Sequence, residues 1–290
     1  MNLVVGATGF LGGTIARQLL SRGQPVRAFV RASSDKTEAL SAAGAELAFG
    51  DLRDHRSFSA ALEGVSSVID TASAMSSQRP DDTLDSVDRD GQCALVDAVE
   101  ARGGIKFVYV SSPSSDPSPL QAAKQAVEAR LQASSLPFTI VRPSLITEVW
   151  LSPPLGFDYV AGRIRIYGSG ENPNSWISLS DVSRVAVWAA SARDAERKVY
   201  DVGGEAISPL DVVKIFEKVA GRRFECEKVP EAALREQYLS ALDPRQRTFL
   251  AITLQCARGH RFDGRLEGTG APEPIETVEA YARKVLARDS

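Results

Sequence analysis

The N-terminal half of this sequence alternates short apolar segments with stretches in which apolar residues recur at helical spacing. Such alternation is typical of βαβ units, in which helices join parallel strands and cover both faces of the sheet. Strands buried on both faces are expected to be continuously apolar, as these segments mostly are. The predicted strands are Leu3–Val5, Pro25–Val30, Glu46–Phe49, Ser67–Asp70, Phe107–Val110 and Phe138–Val141. We therefore predict an α/β fold with a doubly wound parallel sheet.

Helical segments lie between these strands, and glycine follows the first two of them. The predicted helices run from about Gly12 to Ser21, from Lys36 to Ala43, from Ser57 to Leu62, from Val87 to Arg102 and from Gln121 to Gln132. Gly23 and Gly44 stand where a residue with positive φ commonly ends a helix.

The pattern changes after Pro143, where proline, glycine and aromatic residues become frequent. Helical stretches are predicted at Ser180–Ala192, from Ser208 and Pro209 onward, across 231–257 and from about Ile275 to Ala287, with a loop at 259–274. A strand near 199–202 is expected to return to the main sheet. We predict a first domain of residues 1–145 and a smaller mixed α/β substrate-binding cap of residues 146–290.

Charge and composition exclude several classes of function. The net charge is -3, so no strongly basic surface is expected to attract nucleic acid or an anionic membrane. The three cysteines lack metal-binding spacing and the two histidines are far apart in sequence, so we expect no metal site. Neither a signal peptide nor an apolar run of about 18 residues is evident. We expect a cytoplasmic protein with a small-molecule substrate and no nucleic-acid or membrane partner.

A glycine-rich turn, GATGFLG, directly follows the first predicted strand. Glycine permits the tight turn and lets backbone N–H groups approach a diphosphate, while the following helix N-terminus adds a favourable potential. A turn without a ligand is the alternative, but the position at the first βα turn favours a site. The predicted dinucleotide-binding residues here are Gly6, Thr8, Gly9, Phe10, Leu11 and Gly12.

The end of the second strand distinguishes between the two nicotinamide dinucleotides. An NAD site is expected to place a carboxylate there for the ribose 2′-OH, whereas this chain has Arg31. A guanidinium can bind a 2′-phosphate, and Ser34 or Lys36 can add donors. No carboxylate follows until Asp35, although Arg31 could instead be a solvated charge at a strand end. We predict NADP(H) as the cofactor and a Rossmann fold for the first domain.

These motifs resemble those of atypical short-chain dehydrogenases/reductases, and most of all the NmrA-like branch, which includes isoflavone-reductase-type enzymes and redox-sensing regulators. The resemblance covers nearly the whole chain. It rests on GATGFLG, the strand that ends at Arg31, the Gly50-Asp51-Leu52 step and the stretch FTIVRP from Phe138 to Pro143.

The resemblance also implies further contacts to the cofactor. It places Asp51 and Leu52 beside the adenine, Thr71, Ala72 and Ser73 beside the ribose, and Pro143, Ser144 and Leu145 beside the nicotinamide carboxamide. These positions follow strand ends, where open parallel sheets bind their ligands. Ordinary turn chemistry, or a strand ended by proline, is the alternative explanation for each.

Classical members of the wider family use a Tyr-x-x-x-Lys pair for proton transfer. Here Lys124 matches the lysine, but Leu120 stands at the tyrosine position. Lys124 could act as the acid/base or orient the ribose, as the resemblance to isoflavone reductases implies. Alternatively, Ser111 or Ser112 could orient a substrate carbonyl. In the third interpretation there is no chemistry, and Lys124 is a solvated lysine that Glu128 holds outward.

Aromatic and apolar residues supply candidate substrate contacts. These candidates are Met75, Trp150, Phe157, Tyr159 and Trp176, each of which could equally be core packing. If they line a pocket, the substrate is apolar or aromatic.

The favoured function is an NADP(H)-dependent oxidoreductase that transfers hydride to a small, hydrophobic carbonyl, enone or quinone. One alternative is a non-catalytic NADP(H)-sensing regulator, which the missing tyrosine favours. Another is an isomerase, dehydratase or cyclase that keeps the cofactor bound.

Overall fold

The computed structural model describes residues 1–113, 117–262, 266 and 268–287, and thirteen strands lie within these ranges. The strands are β1 (Asn2–Val5), β2 (Val26–Val30), β3 (Glu46–Phe49), β4 (Ser67–Asp70), β5 (Lys106–Val110), β6 (Phe138–Pro143), β7 (Leu145–Ile146), β8 (Phe157–Asp158), β9 (Arg163–Tyr167), β10 (Asn174–Ile177), β11 (Lys198–Val202), β12 (Glu205–Ile207) and β13 (Glu225–Val229). All six strands predicted for the N-terminal half are present, four of them with slightly different ends.

Helices connect these strands throughout the described chain. They are α1 (Phe10–Ser21), α2 (Asp35–Ala42), α3 (Phe58–Ala61), α4 (Gln92–Arg102), α5 (Pro119–Ala133), α6 (Thr147–Trp150), α7 (Leu179–Ser191), α8 (Pro209–Ala220), α9 (Glu231–Ser240), α10 (Pro244–Arg258) and α11 (Val278–Leu286). A π-helical segment, Leu84–Gly91, leads directly into α4. None of the described helices is long and apolar enough to cross a bilayer.

The main sheet has seven strands in the order β11-β6-β5-β4-β1-β2-β3, and every neighbouring pair is parallel. The order reverses at β1, whose Val5 lies opposite Phe29 of β2 and Asp70 of β4. Ligands of doubly wound sheets bind at this reversal, beyond the carboxyl ends of the strands. The predicted doubly wound parallel fold is confirmed.

Alternate residues of the central strands enter two separate cores. Val4 joins a cluster with Ile15 and Val182, from helices on one face of the sheet. Leu3 and Val5 join a second cluster with helical residues of the other face, such as Leu95. Burial on both faces accounts for the continuously apolar strands.

The C-terminal half contributes to the main sheet as well as to a cap. β11 pairs with β6, with Val199 opposite Ile140, as predicted for a strand near 199–202. The rest forms two three-stranded sheets, β12-β10-β7 and β13-β9-β8, packed with α8 and α11. We refer to residues 146–177 and 203–287, within the described ranges, as the cap.

The helix predicted across 231–257 is two helices rather than one. α9 ends at Ser240, and α10 begins after Asp243, whose carboxylate accepts a hydrogen bond from Gln246 N at 2.7 Å. Pro244 occupies the first turn of α10, where its missing N–H costs nothing. Periodicity alone did not reveal this break because apolar residues continue across it.

Candidate functional site

The glycine-rich turn brings two stretches of backbone very close together. Gly6 has φ +80°, and a Cβ added there would lie 2.8 Å from Thr71 Oγ1 and 2.9 Å from Ala72 N. A Cβ on Gly12 would lie 2.3 Å from the Gly6 carbonyl oxygen. Larger residues are therefore excluded from this cradle. Gly9 caps α1 without a side-chain hydrogen bond, which leaves the first amides of the helix available to an anion.

A cleft of about 670 Å³ opens beside this turn. We call it the glycine-turn cleft. Thirteen of the predicted cofactor-binding residues line it: Gly6, Thr8, Gly9, Phe10, Leu11, Gly12, Arg31, Lys36, Asp51, Leu52, Thr71, Ala72 and Ser73. They come from the ends of β1 to β4, so the sheet topology brings them together.

Arg31 does not stand alone in the cleft. Its guanidinium forms an ion pair with Asp82, a residue of the loop that follows β4. The Arg31 side chain is 42% exposed, whereas that of Asp82 is 2% exposed. The prediction that no carboxylate lies close to Arg31 is therefore wrong. No acidic residue stands between Arg31 and Asp35 in the sequence, but the loop after β4 brings Asp82 back to the end of β2.

Further charges surround this pair. Arg53 lies 2.9 Å from Asp51 and 3.5 Å from Asp82, and Arg79 lies 3.7 Å from Asp51. The hydrogen bond from Arg53 holds the pKa of Asp51 below its usual value. Burial would raise the pKa of Asp82, but hydrogen bonds from Ser77 and Arg31 lower it overall. Three guanidinium groups thus surround two ionised carboxylates at this end of the cleft, and Asp81 also acts on Arg53.

Ser34 and Lys36 were both predicted to add donors for a 2′-phosphate. Ser34 instead caps α2: its hydroxyl accepts from Thr37 N at 3.4 Å, and the Thr37 hydroxyl accepts from Ser34 N at 2.8 Å. This serine is not among the described residues that line the cleft. Lys36 does line it, with Nζ 6.0 Å from the centre of the Phe10 ring.

The turn after β4 is fixed by hydrogen bonds from both sides. Thr71 Oγ1 donates to the Val5 carbonyl at 2.9 Å, and Ala72 N donates to Asp70 at 3.0 Å. Gln92 donates to the Ala72 carbonyl at 2.7 Å. The part of the cleft predicted to hold a ribose is therefore rigid.

Lys124 is buried, with 6% of the residue exposed. Its ammonium group donates to the Val110 carbonyl at 3.0 Å and lies 4.8 Å from the centre of the Tyr109 ring. Glu128 pairs with Arg142 instead, with Arg142 Nε 2.9 Å from Oε1. The interpretation of Lys124 as a solvated lysine held outward by Glu128 is wrong, because the helix face that carries it packs onto the sheet.

A second cavity, of about 180 Å³, lies beyond the carboxyl ends of β5 and β6. We call it the strand-end cavity. Its lining includes the predicted Ser111, Ser112, Pro143, Ser144, Leu145 and Trp150. Ser111 and Ser144 are buried, and neither hydroxyl has a hydrogen-bond partner in the described part of the chain. Unpartnered buried hydroxyls are uncommon and leave donors and acceptors for a ligand.

The C-terminal region also lines this cavity, although no pattern in the sequence predicted it. Thr248, Ile252 and Gln255 of α10 line it, and so does His260. These residues lie more than a hundred positions after Ser111, and no local pattern links the two segments. Leu120, at the position of the missing tyrosine, lines the same cavity.

The predicted substrate contacts are divided between different environments. Phe157 and Trp176 are buried in the cap core, and Trp176 Nε1 donates to the Ile207 carbonyl at 3.1 Å. Tyr159 packs 5.7 Å from Phe216 and borders a groove on the far side of the glycine turn. Met75 packs against the main core. Of these five residues, Trp150 alone is among the described residues lining the strand-end cavity.

Known proteins resemble this chain in both sequence and fold. The photosystem II assembly factor Ycf39 of Trieres chinensis is 30% identical over 237 residues, which cover 79% of this chain and 72% of that protein. The NAD(P)H azoreductase of Xenophilus azovorans is 32% identical over 231 residues, covering 77% and 74%. The fold matches that of an NADPH-dependent quinone oxidoreductase from Escherichia coli complexed with NADPH, with a TM-score of 0.77, 22% identity and coverage of 99% and 100%.

A family model also matches nearly the whole chain. It describes the NmrA-like family and matches residues 2–281, which include both the main sheet and the cap. The resemblance inferred from the glycine turn and the FTIVRP stretch is thereby confirmed, and the chain belongs to the NmrA-like family.

Proposed function

We propose that this protein is an NADP(H)-dependent reductase of a small, mainly apolar carbonyl, enone or quinone. The strand-end cavity is the observation that carries the proposal: two unpartnered buried hydroxyls face a small space beside a dinucleotide-sized cleft. Both spaces lie beyond the carboxyl ends of adjacent strands. The oxidoreductase names of two of the similar proteins support the reaction type.

The residues of the glycine-turn cleft fit NADP(H). The cradle of Gly6 and Gly12 admits a diphosphate near the first amides of α1. Arg31 and Arg79 both line this cleft, and their guanidinium groups can supply the positive charge that a 2′-phosphate needs. When bound, the cofactor supplies hydride from its nicotinamide ring.

The strand-end cavity contributes orientation and exclusion of water. Ser111 or Ser112 can donate a hydrogen bond to a substrate oxygen, and Ser144 can bind the carboxamide of the cofactor. Ile146, Val149 and Ile252 supply an apolar lining. A low-polarity site strengthens hydrogen bonds to an oxygen that gains negative charge during reduction.

A reductase assay tests this proposal. The purified protein is mixed with NADPH and a panel of quinones, enones and azo compounds, and the loss of absorbance of the reduced nicotinamide is followed. We expect turnover with at least one apolar acceptor. Absence of heat with both NADP⁺ and NAD⁺ in calorimetry would refute the cofactor assignment, and binding without turnover on any acceptor would refute the enzymatic one.

A second candidate function is a non-catalytic NADP(H)-dependent regulator or assembly protein. Leu120 stands where the usual tyrosine would donate a proton, and the Lys124 ammonium already donates a hydrogen bond to the Val110 carbonyl. The similarity to Ycf39, which is named as an assembly factor, favours the same interpretation. Tight NADP⁺ binding, no turnover and a partner protein captured in a cofactor-dependent manner would support it.

A further inference from the structure

Among the described residues that line the strand-end cavity there is neither a tyrosine nor a lysine to supply a proton. Its described lining comes from the segment after β5, the start of α5, the end of β6, β7, α6, α10 and the segment after α10. Within this set, His260 is the one side chain that gains or loses a proton in the neutral pH range. We propose that His260 is the proton donor to a substrate reduced in this cavity, an inference that rests on the proposed function.

The backbone of His260 is fixed to the cap. Its N–H donates to the Asn174 side chain at 3.0 Å, and its carbonyl accepts from Ser175 N at 2.9 Å. Asn174 is fully buried and also donates to the Cys256 carbonyl at 3.1 Å. These contacts tie the segment after α10 to the start of β10, and thereby hold the imidazole at the cavity wall.

The imidazole ring itself remains available to a ligand. It is half-buried, and its flank packs edge-on against Phe262, with 4.7 Å between the ring centres. Neither ring nitrogen makes a hydrogen bond to any residue in the described ranges. A ring held by packing rather than by a carboxylate can donate to a substrate oxygen without first losing another partner.

The charges around His260 set its protonation. Burial lowers the pKa of His260, and Asp201 on β11 acts in the opposite direction. Arg142 on β6 lies 3.8 Å from Asp201, and Arg258 and Arg261 flank the histidine along the chain. The imidazolium fraction therefore grows as the pH falls through a pKa below the usual histidine value.

The other candidate groups are less suited to proton donation. The Lys124 ammonium is buried against the Val110 carbonyl and is absent from the described lining. The Ser111 and Ser144 hydroxyls hold their protons too strongly to act as acids near neutral pH, so they orient rather than protonate.

The proposed step conserves atoms and charge. As hydride from the reduced nicotinamide forms a C–H bond at the electrophilic carbon, the π electron pair of the acceptor moves to its oxygen. The N–H bond of the His260 imidazolium breaks, and its proton forms the O–H bond. Neutral imidazole then regains a proton from water.

NMR tests the contact without turnover. The protein has two histidines, so His55→Gln leaves the imidazole resonances of His260 alone in the spectrum. The probe is 2-naphthol, whose phenolic oxygen resembles that of a reduced quinone. We expect saturating 2-naphthol to shift these resonances and to raise the pKa of His260, because an oxygen acceptor favours the imidazolium. Unchanged His260 resonances, with or without shifts elsewhere, would overturn the proposal.

Kinetics with a reducible quinone provides the second test. We expect His260→Gln to lower kcat/KM by about 100-fold, a typical loss for a general acid, and to remove the rise in rate toward acidic pH. His55→Gln, which changes an exposed histidine outside the described lining of the cavity, serves as the control. NADP⁺ affinity in calorimetry should be the same in all three proteins.

The outcomes separate this inference from the proposed function. If the wild-type protein reduces no acceptor while 2-naphthol still perturbs His260, the reductase assignment fails but the contact stands. If His260→Gln keeps the wild-type kcat/KM and still shows the rise in rate toward acidic pH, the proton donor lies elsewhere and the reductase assignment stands.

Discussion

Arg31 and Asp82 form an ion pair, yet the two side chains favour different nicotinamide dinucleotides. Arg31 attracts a 2′-phosphate, whereas a carboxylate at the end of β2 repels it and can accept a hydrogen bond from a ribose 2′-OH. The Asp82 Oδ1 atom has no hydrogen-bond partner among the described residues, although Arg53 Nε lies 3.5 Å from it. We therefore expect cofactor selectivity to depend on both residues.

Replacing Arg31 with aspartate should weaken NADP⁺ binding about 100-fold, because a phosphate loses a charge-assisted hydrogen bond and gains a repulsive neighbour. NAD⁺ binding should change much less. Calorimetric titration with each dinucleotide measures the ratio. Arg56→Asp, at a 91% exposed side chain, provides the control for net charge. Equal weakening of both dinucleotides would contradict the assignment of Arg31.

Asp82→Asn should act in the opposite direction. Removing this carboxylate frees Arg31 and removes its repulsion of the 2′-phosphate, so the preference for NADP⁺ over NAD⁺ should rise about tenfold. Asp81→Asn removes an exposed carboxylate from the same loop and should leave the ratio unchanged. A ratio that falls in Asp82→Asn would mean that Asp82 mainly orients Arg31.

Lys124 also has a structural role that can be measured. Its positive charge lowers the pKa values of the buried Asp70 and Asp88, which burial raises. Lys124→Met should reduce the free energy of unfolding by about 3 kcal/mol, because buried carboxylates lose their nearby cation. Urea denaturation measures the loss. Lys218→Met, at a 70% exposed side chain, should cost under about 1 kcal/mol. Equal losses would show that the Lys124 charge is not structural.

At the scale of elements, α10 connects the two binding spaces. Arg245 in its first turn donates to the Ser77 carbonyl at 2.9 Å and to the Asp82 carbonyl, so it holds the loop that carries Asp82. Thr248, farther along α10, accepts from Leu120 N at 3.3 Å and lines the strand-end cavity. One helix of the cap therefore contacts both the charged end of the glycine-turn cleft and the cavity.

Arg245→Met should loosen the loop at 77–82. The variant loses the hydrogen bonds that the Arg245 guanidinium donates to the loop. We therefore expect the loop to open roughly tenfold faster. Hydrogen–deuterium exchange of the peptide that spans the loop measures this rate. Arg247→Met is the matched control, because Arg247 lies on α10 like Arg245. Its guanidinium lies 5.2 Å from the centre of the Tyr238 ring. Unchanged exchange would mean that other contacts hold the loop.

At the scale of the whole molecule, the buried carboxylate of Asp70 links stability to pH. Burial raises the pKa of Asp70 from its ordinary value of 3.8 to about 6. The folded state therefore binds more protons than the unfolded state between these values, and the stability contributed by Asp70 falls as pH rises from about 4 to about 6. Above this window the cost of the buried charge is fully present.

Asp70→Asn should remove this dependence. The wild-type free energy of unfolding should fall relative to that of the variant across pH 4 to 6, by on the order of 2–3 kcal/mol. The difference between the two urea-denaturation series isolates Asp70 from other titrating groups. Asp194→Asn, at an exposed position, should give a flat difference. A flat difference for Asp70→Asn would show that the carboxyl keeps its ordinary pKa.

Local sequence determined the sheet and one of its ligand clefts. The strands from Leu3–Val5 to Phe138–Val141 were predictable because burial on both faces requires continuous apolar segments. The glycine turn was predictable because Gly6 and Gly12 satisfy a local steric requirement. Arg31 and Thr71 follow strand ends that a parallel sheet must bring to one edge.

Tertiary structure decided the contacts between segments that no short pattern relates. Asp82 pairs with Arg31 only because the loop after β4 returns to the end of β2. His260 joins Ser111 and Ser144 only because α10 packs against α5 and so brings the segment that follows it to the same cavity. Burial of Lys124, and the placement of Phe157 and Trp176 in the cap core, follow from packing between helices and sheets. Periodicity specifies which face of an element is buried, but the partner across that face is fixed by the folded chain as a whole.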